Sequence, residues 1–290
     1  MNMNEQIQDI ESFIKKTVDT HRYGGIVIGI SGGIDSAVAA ALSGRALGAQ
    51  RVRGLILTER DSAVDTRRDA EIVCSHLGIS CRFQNLSRAL RKMGVYRLVP
   101  PVLFIPVRLR ERYVRNRWRK ISSDPFVDDL NSRGEKEFLK GMAYYRVKHR
   151  LRMSVLYMEA EKLGYAVVGT TNRSELSTGF YVKYGDEAAD IDPLAHLYKT
   201  SVMRIGRELE LPEKILSKTP SPDLLPGVTD ESVLGMNYED LDRILWKIDT
   251  GRDLDAEEPD LVKRVKLIIS ASRKRKLKNL SVDSDLVCPL

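Results

Sequence analysis

The chain has 290 residues, of which 42% are hydrophobic and 30% are charged, and its formal net charge is +7. This balance excludes disordered and fibrous proteins and is typical of one large α/β domain, alone or with a substantial appendage. No apolar stretch approaches the ~18 residues needed to cross a membrane, and the N-terminus lacks the apolar core of a signal peptide. We therefore expect a cytoplasmic protein with no membrane segment.

Cysteine usage is sparse. Cys74, Cys81 and Cys288 form no C-x-x-C pair, and their odd number argues against a disulfide framework or a thiolate metal site. We expect all three to be reduced thiols.

Helix and strand patterns alternate through the first half of the chain. Hydrophobic periodicity predicts helices at about 5–20, 35–47 and 64–78, and strands at 25–30, 52–58 and 80–85. Helices between short apolar strands indicate a doubly wound α/β fold, with a mostly parallel sheet and helices on both faces. Ligands bind such sheets at the carboxyl ends of the strands, where residues 31–36 and the segment Thr58-Glu59-Arg60-Asp61 both fall.

The segment SGGIDS at 31–36 joins the first strand to the next helix. Its backbone N–H groups and the helix dipole point at one spot, and the missing side chains of Gly32 and Gly33 let a phosphate approach closely. The lysine of the usual P-loop pattern is absent here, and the carboxylate of Asp35 would repel phosphate unless a divalent cation lay between them. The segment therefore predicts a pyrophosphate-binding loop that works with Mg²⁺.

The pattern changes between about 90 and 140, where prolines and the basic run RLRERYVRNRWRK at 108–120 interrupt it. We interpret this segment as an insertion into a single domain that spans 1–290. Beyond it, the pattern predicts a helix at 142–163, a strand at 165–168 and a helix at 200–210. From about 212 to 280 we expect a helical segment, with a capped start at Thr229 leading into 238–246 and an amphipathic helix at 258–277.

Several motifs in order resemble one family. SGGxDS after a strand resembles the PP-loop of the ATP pyrophosphatases, which cleave ATP to AMP and pyrophosphate. GT-x-N-x-SE from 169, TGF-x-x-KYGD from 178, LYKT at 197–200 and PSPDLLPGVTDE at 220–231 resemble the signature of the ammonia-dependent NAD⁺ synthetases, whose fold is of the adenine nucleotide α-hydrolase type. The resemblance implies that ATP adenylates the nicotinate carboxylate of deamido-NAD and that ammonia then displaces AMP, giving NAD⁺.

The resemblance also implies site residues at the matching positions. Lys199 and Asp35 are the implied catalytic residues, and Asp35 with Glu175 would hold Mg²⁺. The implied ATP-binding positions are Gly29, Ile30, Ser31, Gly32, Gly33, Ile34, Asp35, Ser36, Thr170, Lys199 and Ser221. The implied deamido-NAD positions are Arg150, Lys183, Asp190, Arg273 and Lys274.

The resemblance implies assembly and ammonia supply as well. Family members are homodimers, so we expect a homodimer. A chain of 290 residues leaves no room for the amidase domain of glutamine-dependent relatives, so ammonia is expected to come from solution or from a separate donor protein.

Three departures from the family pattern concern the dinucleotide site. The chain has Tyr145-Arg146 where many members have Gly-Asn, and Arg273-Lys274 where His-Lys is common; the third departure is the insertion. A related PP-loop ligase that activates another acceptor is therefore an alternative.

Two further alternatives come from other functional classes. Arginines interleaved with Tyr113 and Trp118 in the basic run could hold RNA, as in a PP-loop tRNA-modifying enzyme, but the C-x-x-C pair of sulfur-transferring members is absent and nucleic acid is not expected. A non-catalytic nucleotide-binding protein would be expected to lack Asp35, Glu175 or Lys199, and all three are present.

Overall fold

Strands and helices alternate in the first half of the chain, as predicted. The computed structural model describes residues 2–99, 122–221 and 229–277. The first elements are α1 (Met3–Thr20), β1 (Ile26–Gly29), α2 (Ile34–Leu47), β2 (Val52–Thr58), α3 (Thr66–Leu77) and β3 (Ser80–Asn85). They are followed by α4 (Ser87–Lys92), α5 (Pro125–Asn131), α6 (Lys136–Leu163) and β4 (Ala166–Val168).

Helices make up the regular structure after β4 in the described residues. They are α7 (Arg173–Thr178), α8 (Lys199–Glu208), α9 (Glu213–Leu216), α10 (Asp230–Leu234), α11 (Tyr238–Asp249) and α12 (Pro259–Lys276). Within the ranges given above, no helix combines the length and the apolar character needed to span a membrane.

The four strands form one parallel sheet in the order β3-β2-β1-β4. Ile26 of β1 pairs with Val52 of β2 and with Ala166 of β4. Side chains alternate between the two faces of a strand. Ile26 and Ile28 therefore pack on one face, in a core with α1 and α2, whereas Val27 packs on the other face, in a second core with α4 and α6. The predicted α/β fold with helices on both faces of a parallel sheet is confirmed.

The C-terminal helices have a core of their own. Leu241 and Ile244 of α11 pack with Val265 and Ile268 of α12 and with Phe126 of α5. The predicted helix start at Thr229 is correct, since its side chain accepts a hydrogen bond from the N–H of Ser232. Helix α10 ends at Gly235, whose φ is +81°, and α11 begins separately after Asn237. The sequence predicted a single helix here, and the structure has two.

Of the predictions for residues 90–140, the structure corrects the start of the following helix and does not describe the basic run. Helix α6 begins at Lys136 instead of 142, because Gly134 and the extended Glu135 end the preceding turn and Phe138 is already buried. The basic run at 108–120 lies outside the described residues.

The expectation that the cysteines are reduced is wrong for two of them. Cys74 in α3 and Cys81 in β3 form a disulfide. Gly78 ends α3 in the left-handed conformation and reverses the chain, which brings together two residues that are seven apart in sequence. The odd count showed only that one cysteine must stay unpaired within the chain, and Cys288 lies outside the described residues.

A buried lysine organises the carboxyl end of β2. Lys148 of α6 is 1% exposed, and its ammonium donates to Glu59 at 3.0 Å and to Asp61 at 2.7 Å. Burial alone would raise the pKa of Asp61, but the neighbouring Arg60 and Lys148 outweigh it and lower that pKa to about 2. The segment Thr58-Glu59-Arg60-Asp61 therefore uses its charges to attach α6 to the sheet.

Lys148→Met should destabilise the protein by about 3–5 kcal/mol at neutral pH, because it leaves two carboxylates without their buried partner. Asp61 stabilises the fold above its unfolded pKa of about 3.9 and loses this contribution as the pH falls towards about 2. The difference between variant and wild type should therefore shrink below pH 4. Urea unfolding followed by circular dichroism at several pH values measures both effects.

Lys15→Met is the matched control, because it removes an exposed lysine that pairs with Asp19 one helical turn away. We expect no resolvable change in its unfolding midpoint. Equal effects of the two substitutions would contradict a structural role for the buried lysine.

Candidate active site

A cavity of about 800 Å³ opens at the carboxyl ends of β1, β2 and β4. This is the position expected for a ligand in a parallel α/β sheet. Glu175 lines it, and so do all the predicted ATP positions except Gly32: Gly29, Ile30, Ser31, Gly33, Ile34, Asp35, Ser36, Thr170, Lys199 and Ser221. The structure thus brings together residues from both halves of the chain.

The PP-loop is held by hydrogen bonds between its own residues. The hydroxyl of Ser36 donates to the Gly33 carbonyl at 2.9 Å, and the hydroxyl of Ser31 accepts from the Gly33 N–H at 3.2 Å. Gly32 has φ at +72°, and a Cβ there would lie 2.5 Å from the Cβ of Asp69. Glycine is therefore required at this turn for both its conformation and its close packing.

A buried ion pair lies beside the loop. Lys199, the first residue of α8, is 2% exposed, and its ammonium pairs with the carboxylate of Asp35 at the start of α2. The side-chain N–H of Asn172 donates to Asp35 at 3.0 Å, and the side-chain oxygen of Asn172 accepts from the Glu175 N–H at 3.0 Å. The backbone N–H of Asn172 also donates to the Glu175 carboxylate at 3.0 Å. One asparagine therefore connects the two carboxylates that the resemblance implied as metal ligands.

The electrostatics of this cluster depend on its burial. Burial raises the pKa of Glu175 well above its usual value, the negative charge of Asp35 raises it further, and Lys199 opposes both. Burial disfavours the charged ammonium of Lys199, but Asp35, Glu175 and Asp230 outweigh that cost and raise its pKa. Lys199 is therefore a cation at neutral pH in a site with excess carboxylate.

Asp242 of α11 positions Lys199 through Ser174 of α7, and the sequence motifs assigned neither residue a task. Asp242 of α11 accepts a hydrogen bond from the Ser174 hydroxyl and another, at 2.8 Å, from the N–H of Thr200. The Ser174 hydroxyl in turn accepts from the N–H of Lys199 at 2.9 Å. Two N–H groups that have no partner within α8 are thereby satisfied. The segment that contains Asp242, LDRIL at 241–245, predicted a helix but did not indicate that this carboxylate is buried.

Sequence comparisons identify the family of the chain. The family model for NAD synthase matches residues 6–99 and 112–279. The chain belongs to the NAD synthase family. It is 55% identical over 267 residues to the NH(3)-dependent NAD(+) synthetase of Thermotoga maritima, covering 92% of this chain and 95% of that protein. The corresponding protein of Pyrococcus horikoshii is 34% identical over 285 residues, covering 96% of this chain and 94% of the relative.

Solved structures share the fold. The NMN synthetase from Francisella tularensis superimposes with a TM-score of 0.74 at 26% identity, covering 98% of this chain and 99% of that one. The NH3-dependent NAD synthetase from Campylobacter jejuni has a TM-score of 0.72 at 22% identity, covering 98% of this chain and all of that one.

A second cavity, of about 190 Å³, is lined by three of the predicted deamido-NAD positions: Arg150, Lys183 and Lys274. Arg150 donates to the Lys183 carbonyl at 3.2 Å, and Lys274 donates to the carbonyl of Asn131 at 3.2 Å. Arg146 lines the same cavity. Cations from α6, α12 and the loop after α7 therefore surround a space large enough for a small anionic group.

The other two predicted positions lie elsewhere. Asp190 accepts from the backbone N–H of Val167 at 2.8 Å and from the Tyr157 hydroxyl at 3.2 Å, so it braces β4. Arg273 is exposed on α12, whereas Arg275 is buried and lines both cavities. The resemblance pointed to the basic last turn of α12, at 273–276, but did not show which of its arginines faces inward.

The departure at 145–146 has a structural explanation. The hydroxyl of Tyr145 donates to the carboxylate of Asp129, and Arg146 donates to the same carboxylate at 2.9 Å and to the Asp129 carbonyl at 2.7 Å. Arg275 also reaches this carboxylate, at 2.7 Å. Asp129 therefore ties α5, α6 and α12 together between the two cavities.

Proposed function

We propose that this chain catalyses the ATP-dependent amidation of deamido-NAD with ammonia, giving NAD⁺, AMP and pyrophosphate through an adenylated carboxylate. The observation that carries the proposal is the buried pair of Lys199 and Asp35 at the PP-loop, in a chain with close relatives that are NH(3)-dependent NAD(+) synthetases. A carboxylate is a poor electrophile at neutral pH. Attachment of AMP turns one of its oxygens into a leaving group that ammonia can displace.

Each residue of the site has a proposed task. The N–H groups of the loop and of the first turn of α2 bind phosphate oxygens. The ammonium of Lys199 stabilises the charge that develops on the transferring phosphoryl group and on the departing pyrophosphate. Thr170 and Ser221, which line the cavity, donate to other nucleotide oxygens.

Asp35 and Glu175 fit a Mg²⁺ ion. Carboxylate oxygens are suitable ligands, and Mg²⁺ in nucleotide sites is typically held by one or two carboxylates together with substrate phosphates. When bound, the ion supplies charge neutralisation and Lewis-acid polarisation at the phosphates. Burial and the negative charge of Asp35 raise the pKa of Glu175, so a bound cation would favour its ionised form.

The basic cavity is the proposed place for part of the acceptor. Arg150, Lys183 and Lys274 supply cations suited to its phosphates, and Asp190 and Arg273 remain proposed contacts by resemblance. An acceptor of smaller size is the second candidate, because the fold is shared with an NMN synthetase.

The oligomeric state and the cellular location of the protein are also proposals. We propose a homodimer, by resemblance to the family, that uses ammonia from solution or from a separate donor. The cytoplasm is the proposed location, since ATP is available there.

The first test measures pyrophosphate release and NAD⁺ formation by the purified protein with ATP, Mg²⁺, ammonium and deamido-NAD. We expect equal amounts of the two products, and neither product when deamido-NAD or Mg²⁺ is left out. Pyrophosphate release with deamidated mononucleotide or tRNA, but not with deamido-NAD, would contradict the proposed acceptor.

Lys199→Met should reduce the rate of pyrophosphate release about 10²–10³-fold, because the charge of the transition state loses a buried cation. Lys199→Arg should restore charge but little activity, since the buried pocket fits an ammonium. Circular dichroism and thermal unfolding check the fold, and Lys263→Met, on the exposed side of α12, is the control. A near-normal rate in a folded Lys199→Met protein would contradict this role.

Light scattering after size exclusion should give the mass of two chains. A mass of 32.8 kDa at micromolar concentration, in a sample that is active, would contradict the dimer.

A further inference from the structure

A second lysine contacts the PP-loop, and no motif assigned it a task. The ammonium of Lys218, which follows α9, lies 2.8 Å from a carboxylate oxygen of Asp69 and 3.4 Å from the carbonyl of Gly32. Lys218 lines the large cavity together with Ser31 and Gly33. Its charge is therefore held at the loop that is proposed to bind phosphates.

Asp69 fixes this lysine in place. Its side chain is 2% exposed, and its Cβ packs directly against Gly32. Burial opposes ionisation of Asp69, but Lys214 and Lys218 outweigh it and keep its pKa below the usual value. A buried carboxylate on α3 thus holds an ammonium beside the loop.

Two lysines pair with Asp69, and only one of them lines the large cavity. Lys214 of α9 pairs with the other oxygen of Asp69 at 2.6 Å but does not line the cavity. Lys218 does line it. An ammonium has three donors, and the contacts to Asp69 and Gly32 use two of those of Lys218. The third is available to an oxygen in the cavity.

The charges around the PP-loop favour a role for the ammonium of Lys218 in binding phosphate. The loop lacks the lysine of the usual P-loop, and Asp35 adds a negative charge beside the phosphates. The cation of Lys199, proposed above to act on the transferring phosphoryl group, lies beside Asp35. Lys218 supplies a second cation on the Gly32 side of the loop.

We propose that Lys218 binds the polyphosphate of ATP and the pyrophosphate product at the PP-loop, and that Asp69 is the positioning residue that holds it there. This inference rests on the proposed function and names a residue of the same site.

Calorimetric binding of pyrophosphate with Mg²⁺ tests the role of Lys218. A charge-assisted hydrogen bond of this kind corresponds to roughly a ten- to hundredfold change in Kd, so Lys218→Met should weaken pyrophosphate binding by that factor. Lys218→Arg should recover most of the loss, and AMP binding should stay within about twofold of wild type. Lys214→Met is the matched control, because it removes the other partner of Asp69 and should leave pyrophosphate binding within about twofold.

The outcomes separate the two levels of the proposal. A wild-type protein that binds neither pyrophosphate nor ATP would refute the proposed function itself. Wild-type binding that Lys218→Met leaves unchanged, or that Lys214→Met weakens equally, would refute only the role of Lys218. A thermal unfolding midpoint is recorded for each variant so that loss of fold is not mistaken for loss of binding.

A double-mutant cycle tests the role of Asp69. Asp69→Asn keeps the shape of the side chain but releases the ammonium, so it should weaken pyrophosphate binding in the wild-type background and should not weaken it further in Lys218→Met. Removing a negative charge near the ligand would by itself strengthen binding, so a loss cannot arise from charge alone. Equal effects in both backgrounds would overturn the positioning role.

Discussion

The burial of the Lys199 ammonium is the constraint on which the site depends. An unpaired buried cation is too costly to keep, so the fold must bring carboxylates to it. Asp35 comes from α2, Glu175 from α7 and Asp230 from α10, while Lys199 itself begins α8. Residues separated by as many as 195 positions in sequence therefore meet because one charge requires compensation. Because these four side chains compensate one another, the loss of any of them should disturb the site. The three acidic side chains also outnumber the single lysine.

The helices of the C-terminal part support this centre from behind. Their own hydrophobic core fixes α11 and α12 against α5, and that packing sets the position of Asp242, which holds the first turn of α8. Arg275 of α12 extends the support to Asp129 between the two cavities. The helical part is thus more than an appendage to the sheet, because it determines where Lys199 and the basic cavity lie relative to the PP-loop.

Local patterns predicted the elements well, and long-range contacts escaped them. The strands at 52–58 and 80–85 have the bounds expected, because short runs between turn residues are encoded locally. The ion pairs of Lys148 join residues 87 and 89 apart, and the bond from Arg275 to Asp129 spans 146. A sequence pattern shows that a residue lies on a helix face but does not name its partner. The cysteine prediction failed for a different reason, since counting cysteines says nothing of a turn that brings two of them together.

The site residues also divide into those that local motifs reveal and those that depend on long-range contacts. Those that form contiguous motifs were located from the sequence: residues 31–36 except Gly32 line one cavity together with Gly169, Thr170 and Glu175. Those that hold the motifs in place, Asp242, Asp129 and Asp69, are single carboxylates that look like ordinary surface residues in the sequence. Each is nine-tenths or more buried and accepts from donors on other elements. Buried carboxylates persist only where such donors satisfy them, so each marks a place where the fold fixes a charged or polar group beside the site. In this family member the PP-loop has no lysine of its own, and the buried carboxylate of Asp69 is what keeps a cation next to it.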